Sequence, residues 1–256
     1  MGNKETNQPE KTDQKGFFEE LLGDVFNLDR GLPGTIWGMI KTPGEVIDAH
    51  FTDKGKYVSP LRYCIFILTI TTFISVQFVD YEAMMNNAME MGGGQDLDLL
   101  IAQLSEQIPS FDWEGYFNSM NELTVTVLQK FVQIIYLVIM APLMAFFSRL
   151  FFKQRKEKFI NHYVMLVYSL TTFAIFSVLM VPLMIQMENT DNFWLFLTGL
   201  PLMVIFIGWA MSDYLNLKGF SDYLQAALAL LFGYISYSII SGILLYVGAF
   251  IKLKYS

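Results

Sequence analysis

Histidine, cysteine and carboxylate side chains do most protein chemistry, and here they are few and widely spaced. His50 and His162 are the only histidines and Cys64 is the only cysteine. A hydrolytic zinc helix needs a His-Glu-x-x-His run, and a zinc ribbon or a disulfide needs paired cysteines. None of these patterns occurs. A serine nucleophile needs a histidine base, and neither histidine has a serine motif beside it in sequence. An aspartyl pair needs two carboxylates at one depth, whereas Asp80, Asp191 and Asp213 stand at the ends of apolar runs. Met84, Met85, Met89 and Met91 resemble soft-metal ligands, but without histidine or cysteine among them they read as apolar surface. The expectation is of no catalytic centre, no cofactor and no metal.

The remaining charged residues suggest placement rather than catalysis. Arg62, Arg149, His162 and Asp213 each fall where an apolar run begins or ends, at what should be one level. An ion pair of Asp213 with Arg149 or Arg62 is one reading, and snorkelling of each to water or lipid phosphate is the other. The run Arg149, Lys153, Arg155, Lys156 and Lys158, together with Lys54, Lys56 and Arg62, can meet anionic lipid headgroups or simply hold its loops on the cytoplasmic side. The net charge of −7 hides this segregation. Basic and aromatic residues are not combined in any way that suggests nucleic acid.

The elements that must position these residues are apolar runs. Hydrophobic residues make up 54% of the 256-residue chain and charged residues 16%, the wrong balance for a soluble domain. The apolar residues lie in blocks near the ~20 residues that cross a ~30 Å hydrocarbon core. The expected fold is an all-α integral membrane protein with about five spans, at 63–79, 131–152, 163–186, 193–211 and 224–251. Residues 1–16 read as a disordered cytoplasmic tail, 17–61 as cytoplasmic interfacial helices, 62–251 as the membrane domain, 80–130 as its outer loop and 252–256 as a C-terminal tail.

Within 17–61, Gly31, Pro33 and Gly34 should break a first amphipathic helix from a short stretch carrying Trp37. Thr42-Pro43-Gly44-Glu45 then reads as a helix start, with Thr42 as N-cap and Glu45 closing a capping box. In the outer loop, Leu97, Leu100, Ile101, Leu104 and Ile108 fall at helical spacing, as do Trp113, Tyr116, Phe117 and Met120. They predict two amphipathic helices lying on, or packed against, the outer membrane surface.

Orientation follows from the basic residues. A cytoplasmic N-terminus places all but Lys130, Lys252 and Lys254 of the 17 basic residues inside, and the nine carboxylates from Asp80 to Glu122 outside. Lys252 and Lys254 are the exceptions that leave a four- or six-span count open.

Two patterns inside the spans concern packing. Pro142, Pro182 and Pro201 each sit in an x-Pro-Leu-Met run and should kink their helices, either as plain structure or to line a transport path. Ala229 with Gly233, and Ser238 with Gly242, allow close helix approach, to another span or to a second copy.

Gly34-Thr35, Met39-Ile40, Thr42-Pro43-Gly44-Glu45-Val46-Ile47, a basic loop, and Tyr57-Val58-Ser59-Pro60-Leu61-Arg62-Tyr63 before a hydrophobic span form one continuous signature. It resembles the bacterial membrane family catalogued as domain of unknown function 3667. The likeness covers roughly 29–79 well and the other spans in general character. The chain lacks the cysteine zinc ribbon that often precedes this region in members, and its basic loop is leaner, retaining Lys54 and Lys56. The resemblance implies a bacterial inner-membrane protein and supplies no activity. By elimination the expected function is that of a non-enzymatic membrane component acting through a lipid or membrane-protein partner, or through self-association by the fifth span. The alternative is a small-solute transporter or channel using the proline-kinked helices.

Overall fold

The computed structural model describes residues 28–81, 83, 94–131, 135–182, 185 and 193–255. The tail at 1–16, the helix expected at 17–26, the methionines at 84–91 and Asp191 lie outside these residues. Among the described residues the regular elements are all helices: α1 (Leu28–Lys41), α2 (Pro43–Thr52), α3 (Pro60–Phe78), α4 (Gly94–Gln107), α5 (Trp113–Lys130), α6 (Ala141–Phe151), α7 (Phe159–Leu179), α8 (Phe193–Leu215) and α9 (Phe220–Tyr255). Three of them, Pro60–Phe78, Phe159–Phe176 within α7 and Phe220–Tyr255, are long and apolar enough to cross a membrane. Two shorter apolar stretches, Tyr136–Phe151 and Gly199–Leu215, complete the set.

The bundle is organised around α7, which packs against α3, α6 and α8 and touches α1 and α2. Every residue from Val164 to Thr172 is buried, Ser169, Thr171 and Thr172 included, so this stretch of the helix is enclosed on all faces. It begins at Phe159, four residues before the expected span, because the Lys158 carbonyl accepts the Asn161 and His162 N–H groups and starts the first turn. It ends at Leu179, and after a turn at Met180 helical backbone resumes at Val181 and Pro182. Pro182 thus lies beyond the end of α7, in helical backbone, whereas Pro201 lies inside α8.

Pro142 acts differently from a simple kink. The five residues Tyr136–Met140 before α6 form a π-helical turn, in which the Ala141 N–H bonds to the Tyr136 carbonyl. With Ala141 so used and Pro142 lacking an N–H, the Leu137 carbonyl loses its helical donors. The Tyr163 hydroxyl of α7 donates to that carbonyl at 3.3 Å. Tyr163→Phe should lower stability in detergent by about 1 kcal/mol, the net worth of one such bond. A thermal melt in detergent measures it, and an unshifted midpoint would show the carbonyl satisfied elsewhere.

α5 and α6 run antiparallel to α9. At one end Arg155 Nη2 meets Asp222 Oδ2 at 3.2 Å, and Met144 lies against Gly233. Towards the other end Leu123 approaches Gly248, Tyr116 donates to the Tyr246 carbonyl at 3.3 Å, and Lys252 is ion-paired with Glu122. The amphipathic helix expected at 113–120 thus extends to Lys130 and packs along α9. Its start is capped by Asp112, which accepts the Gly115 N–H at 2.9 Å. α4 packs on α5.

The expected break at Gly31, Pro33 and Gly34 does not occur, since α1 is continuous with Pro33 inside it. A proline in the sixth position removes a single bond, to a carbonyl at the helix start, and packing of the following turns outweighs that loss. Gly38 serves close approach instead: a Cβ there would lie 2.6 Å from Val46 Cγ2 of α2.

Candidate functional site: the clamped α2 end of the bundle

Two short helices are fixed across one end of the bundle by buried hydrogen bonds, and the signature residues provide them. Thr35 of α1 is fully buried. Its Oγ1 donates to the Gly31 carbonyl at 2.7 Å and accepts the Val58 N–H at 3.0 Å. The Tyr168 hydroxyl of α7 donates to the Val58 carbonyl at 2.6 Å. Both polar groups of Val58 are therefore spoken for, one by α1 and one by the central helix. Tyr63 continues the clamp, with its hydroxyl 2.9 Å from Thr172 Oγ1. Thr35→Val keeps the side-chain shape but leaves the buried Val58 N–H unpaired, at a cost of about 1–3 kcal/mol. The check is the thermal midpoint of the variant beside Thr35→Ser, which restores the acceptor.

The start of α2 is capped from a distance. Thr42 occupies the N-cap position but makes no side-chain capping bond. Glu45 does not close a capping box, because the Thr42 N–H goes to the Gly38 carbonyl; Glu45 accepts from Lys56 Nζ at 2.6 Å and from the Tyr57 and Thr42 hydroxyls at 3.3 Å each. The Gly44 N–H instead donates to Asp213 Oδ2 at 2.8 Å. A carboxylate at a helix N-terminus satisfies an orphan donor and opposes the positive end of the helix dipole. The expected Asp213–Arg149 ion pair is therefore not formed, because α2 takes the carboxylate, and Arg62 is not its partner either among the ion pairs of the described residues.

Between α2 and the end of α8 lies an open groove of about 580 Å³, lined by Thr42, Glu45, Asp48, Thr52, Asp213 and Asn216 among others. Burial raises the Asp48 carboxyl above the usual carboxylate range, and the charges of Glu157 and Asp213 add to it. A carboxyl whose pKa is higher folded than unfolded favours the native state below the unfolded value and loses that favour as pH rises through the folded one. Asp48→Asn should therefore raise the melting temperature slightly at pH 7 and give no advantage near pH 3. Melts at the two pH values check this, and a lowered midpoint at pH 7 would contradict it.

The other basic residues singled out from the sequence gather at this end or its loops. Arg62, Arg149, Lys153, Lys156 and Lys158 are exposed. Arg155 pairs with Asp222 and Lys56 with Glu45. Lys153–Arg155 form a single 3-10 turn, closed by Lys156 in the left-handed region at φ 59.

No family model, curated protein or solved structure matches the chain.

One pairing escaped the linear reading. Ser148 of α6 and His162 of α7 share a hydrogen bond at 2.7 Å, Ser148 Oγ to His162 Nδ1. The loop between α6 and α7 folds the serine back onto the histidine, which a search for motifs beside each histidine does not detect. Both residues are fully buried, Ser148 also approaches Met211 Sδ at 3.9 Å, and His162 Nε2 has no partner among the described residues. The bond ties α6 to α7. Cys64 is buried as well. Among the described residues no group of three or more His, Cys, Asp or Glu side chains is arranged to hold a metal ion.

Proposed function

We propose that the chain is a five-span protein of a bacterial inner membrane with a cytoplasmic N-terminus. In this reading it acts as a non-enzymatic component that binds a lipid or membrane-protein partner at the α2 end. The observation that carries the binding role is the platform itself: α1, α2 and the following loop are pinned to α7 and α8 by Thr35, Tyr168 and Asp213, and they frame an open polar groove. Rigid elements bearing a groove suit recognition.

Several features support the membrane placement. The 36 residues of α9 span about 54 Å at helical rise, well beyond a hydrocarbon core of about 30 Å. The excess is accompanied by α5, and the Lys252–Glu122 pair gives the awkward C-terminal lysine a partner from the acidic loop. Ile235, Ile239, Ile243 and Val247 form an exposed apolar stripe on α9, matched by Ile65 and Phe73 on α3, surfaces that suit lipid tails. The residues that carry the resemblance to domain of unknown function 3667 include Thr35, Val58 and Tyr63 of the clamp, so the resemblance bears on how this platform is fixed and supplies no activity. Self-association would use Ser238 and Gly242, since a Cβ at Gly242 meets open space.

The test has two arms. Purification from its own membrane should bring down a stoichiometric partner with the native chain and not with a chain whose α2 is released. Solute-dependent flux in proteoliposomes would replace this reading with transport. Reporter fusions placing residue 98 in the cytoplasm would overturn the orientation.

A further inference from the structure

A second, more enclosed cavity of about 210 Å³ sits on the other side of α2. His50 at the end of α2, Asp53, Lys54, Gly55 and Ser59 of the loop, and Tyr168 of α7 contribute to its lining. Its walls are held in place. The loop is pinned through Val58 to Thr35 and Tyr168, and the His50 ring stands edge-on to Tyr168, with ring centres 6.4 Å apart.

The chemistry of the lining is that of an anion receptor. Lys54 carries no ion pair among the described residues, in contrast to Lys56, which is committed to Glu45. Burial holds the His50 imidazole below the usual histidine range, and the charge of Lys54 lowers it further, so two basic groups face one space. An anion between them removes that repulsion. Ser59 is the N-cap residue of α3, yet its hydroxyl makes no capping bond, which leaves it for a ligand. The first turn of α3 contains no acidic residue, so the positive end of its dipole adds to the field. Gly55, at φ +124 with open space where a Cβ would stand, lets a ligand approach the main chain. Asp53 is the one carboxylate of the lining, and its charge acts on Lys56. Just past Ser59, Leu61 and Ile65 of α3 are exposed apolar side chains one turn apart.

We propose that this pocket binds a phosphate monoester, with Lys54 as the charged contact and His50 and Ser59 as N–H and hydroxyl donors, and that its source is the headgroup of an anionic phospholipid. Lys54 supplies a point charge with three donors and the histidine a directed N–H, a set suited to a phosphate bearing close to two charges. The lipid source rests on the membrane reading above, whereas the phosphate chemistry does not.

The experiment uses the full chain in neutral detergent, titrated separately with dihexanoyl phosphatidic acid, dihexanoyl phosphatidylcholine and inorganic phosphate. Native protein, Lys54→Gln, His50→Gln and the control Lys56→Gln are compared, with thermal midpoints recorded for each. The expected result is saturable binding of phosphatidic acid, weakened about tenfold in Lys54→Gln and in His50→Gln. Lys56→Gln should bind like the native chain, and phosphatidylcholine should bind poorly. Equal affinity for inorganic phosphate would keep the site and make free phosphate its source. The absence of saturable binding of either phosphate overturns the proposal, as does an equal loss in Lys56→Gln. Lys54 is exposed, so its variant remains informative if His50→Gln fails to fold. A chain that dissolves without detergent would sink the membrane reading while leaving the phosphate titration valid.

Discussion

Gly233→Leu should abolish a cooperative melt of the detergent-solubilised protein, whereas Gly242→Leu should melt within a few degrees of the native chain. The difference comes from what each position faces. A Cβ at Gly233 would lie 2.7 Å from Met144 Cα, 2.8 Å from its Cγ and 3.2 Å from its backbone N. The first and last of these are main-chain atoms, so a rotamer change cannot make room, and α9 must move off α6. Even alanine there should cost about 1–3 kcal/mol as overpacking. Leucine carries three more carbons into the same space. In a lipid setting apolar burial does not compensate, because helix association rests on van der Waals fit. At Gly242 the added side chain meets open space within the chain. Equal melts for the two leucine variants would show that the α6–α9 contact is not close-packed. A Gly242→Leu chain that keeps its melt but loses a crosslinked dimer would assign Ser238 and Gly242 to self-association.

The same helix illustrates what the sequence disclosed. The spacing of Ala229 and Gly233 was readable as a close approach, but the identity of the neighbour was not, since small residues look alike facing any helix. Apolar runs located the helices, because length and hydropathy are local properties. They did not reveal that α9 continues as one helix from Phe220 to Tyr255, since Tyr223, Lys252 and Lys254 look like the ends of a span. Gly31, Pro33 and Gly34 read as a break because their intrinsic preference is against helix. In the fold α1 runs through them, since packing against α2 and the Val58 loop decides the outcome there. The Tyr136–Met140 π-turn was marked only by Pro142, whose effect on its own helix is predictable and whose remedy, Tyr163, is not.

The site was legible as residue types and illegible as partnerships. The residue types from Gly34 to Tyr63 stand out in the sequence, yet what they do lies in bonds to residues far along the chain: Thr35 to Val58, Val58 to Tyr168, Tyr63 to Thr172 and Gly44 to Asp213. Asp213 stood out as a carboxylate beside an apolar run, and an arginine was its natural partner by charge. A backbone N–H at a helix start competes for the same carboxylate, and it leaves no mark in the sequence beyond the Thr-Pro-Gly pattern. Ser148 and His162 were separated by a basic loop that drew attention to its charges instead of to the turn it makes.

The second large effect is expected at that distant cap. Gly44→Val should release α2 from the bundle end, because a Cβ at Gly44 already lies 3.0 Å from Asp213 Oδ2 and 3.1 Å from both the carbonyl carbon and the carbonyl oxygen of Asp213. The two carbonyl atoms are main chain, so α2 rather than a side chain must give way, and the Gly44–Asp213 bond is lost with it. Asp213→Asn keeps the space and an acceptor oxygen but removes the charge. It should cost about 0.3–1 kcal/mol, the worth of a carboxylate at an exposed helix N-terminus. Limited proteolysis across 41–58 distinguishes the two, since release of α2 opens that segment to cleavage and a weakened cap does not. Rapid cleavage of Gly44→Val beside slow cleavage of Asp213→Asn would establish that close backbone approach holds the platform, with the charge secondary. The reverse order would make the helix-end electrostatics dominant and the glycine merely tolerated. Thr35 and Tyr168 anchor the far side of the same segment, so their bonds to Val58 should survive either change. Cleavage in Gly44→Val should therefore concentrate before Val58, in α2 and the turn that follows it, and leave α3 intact.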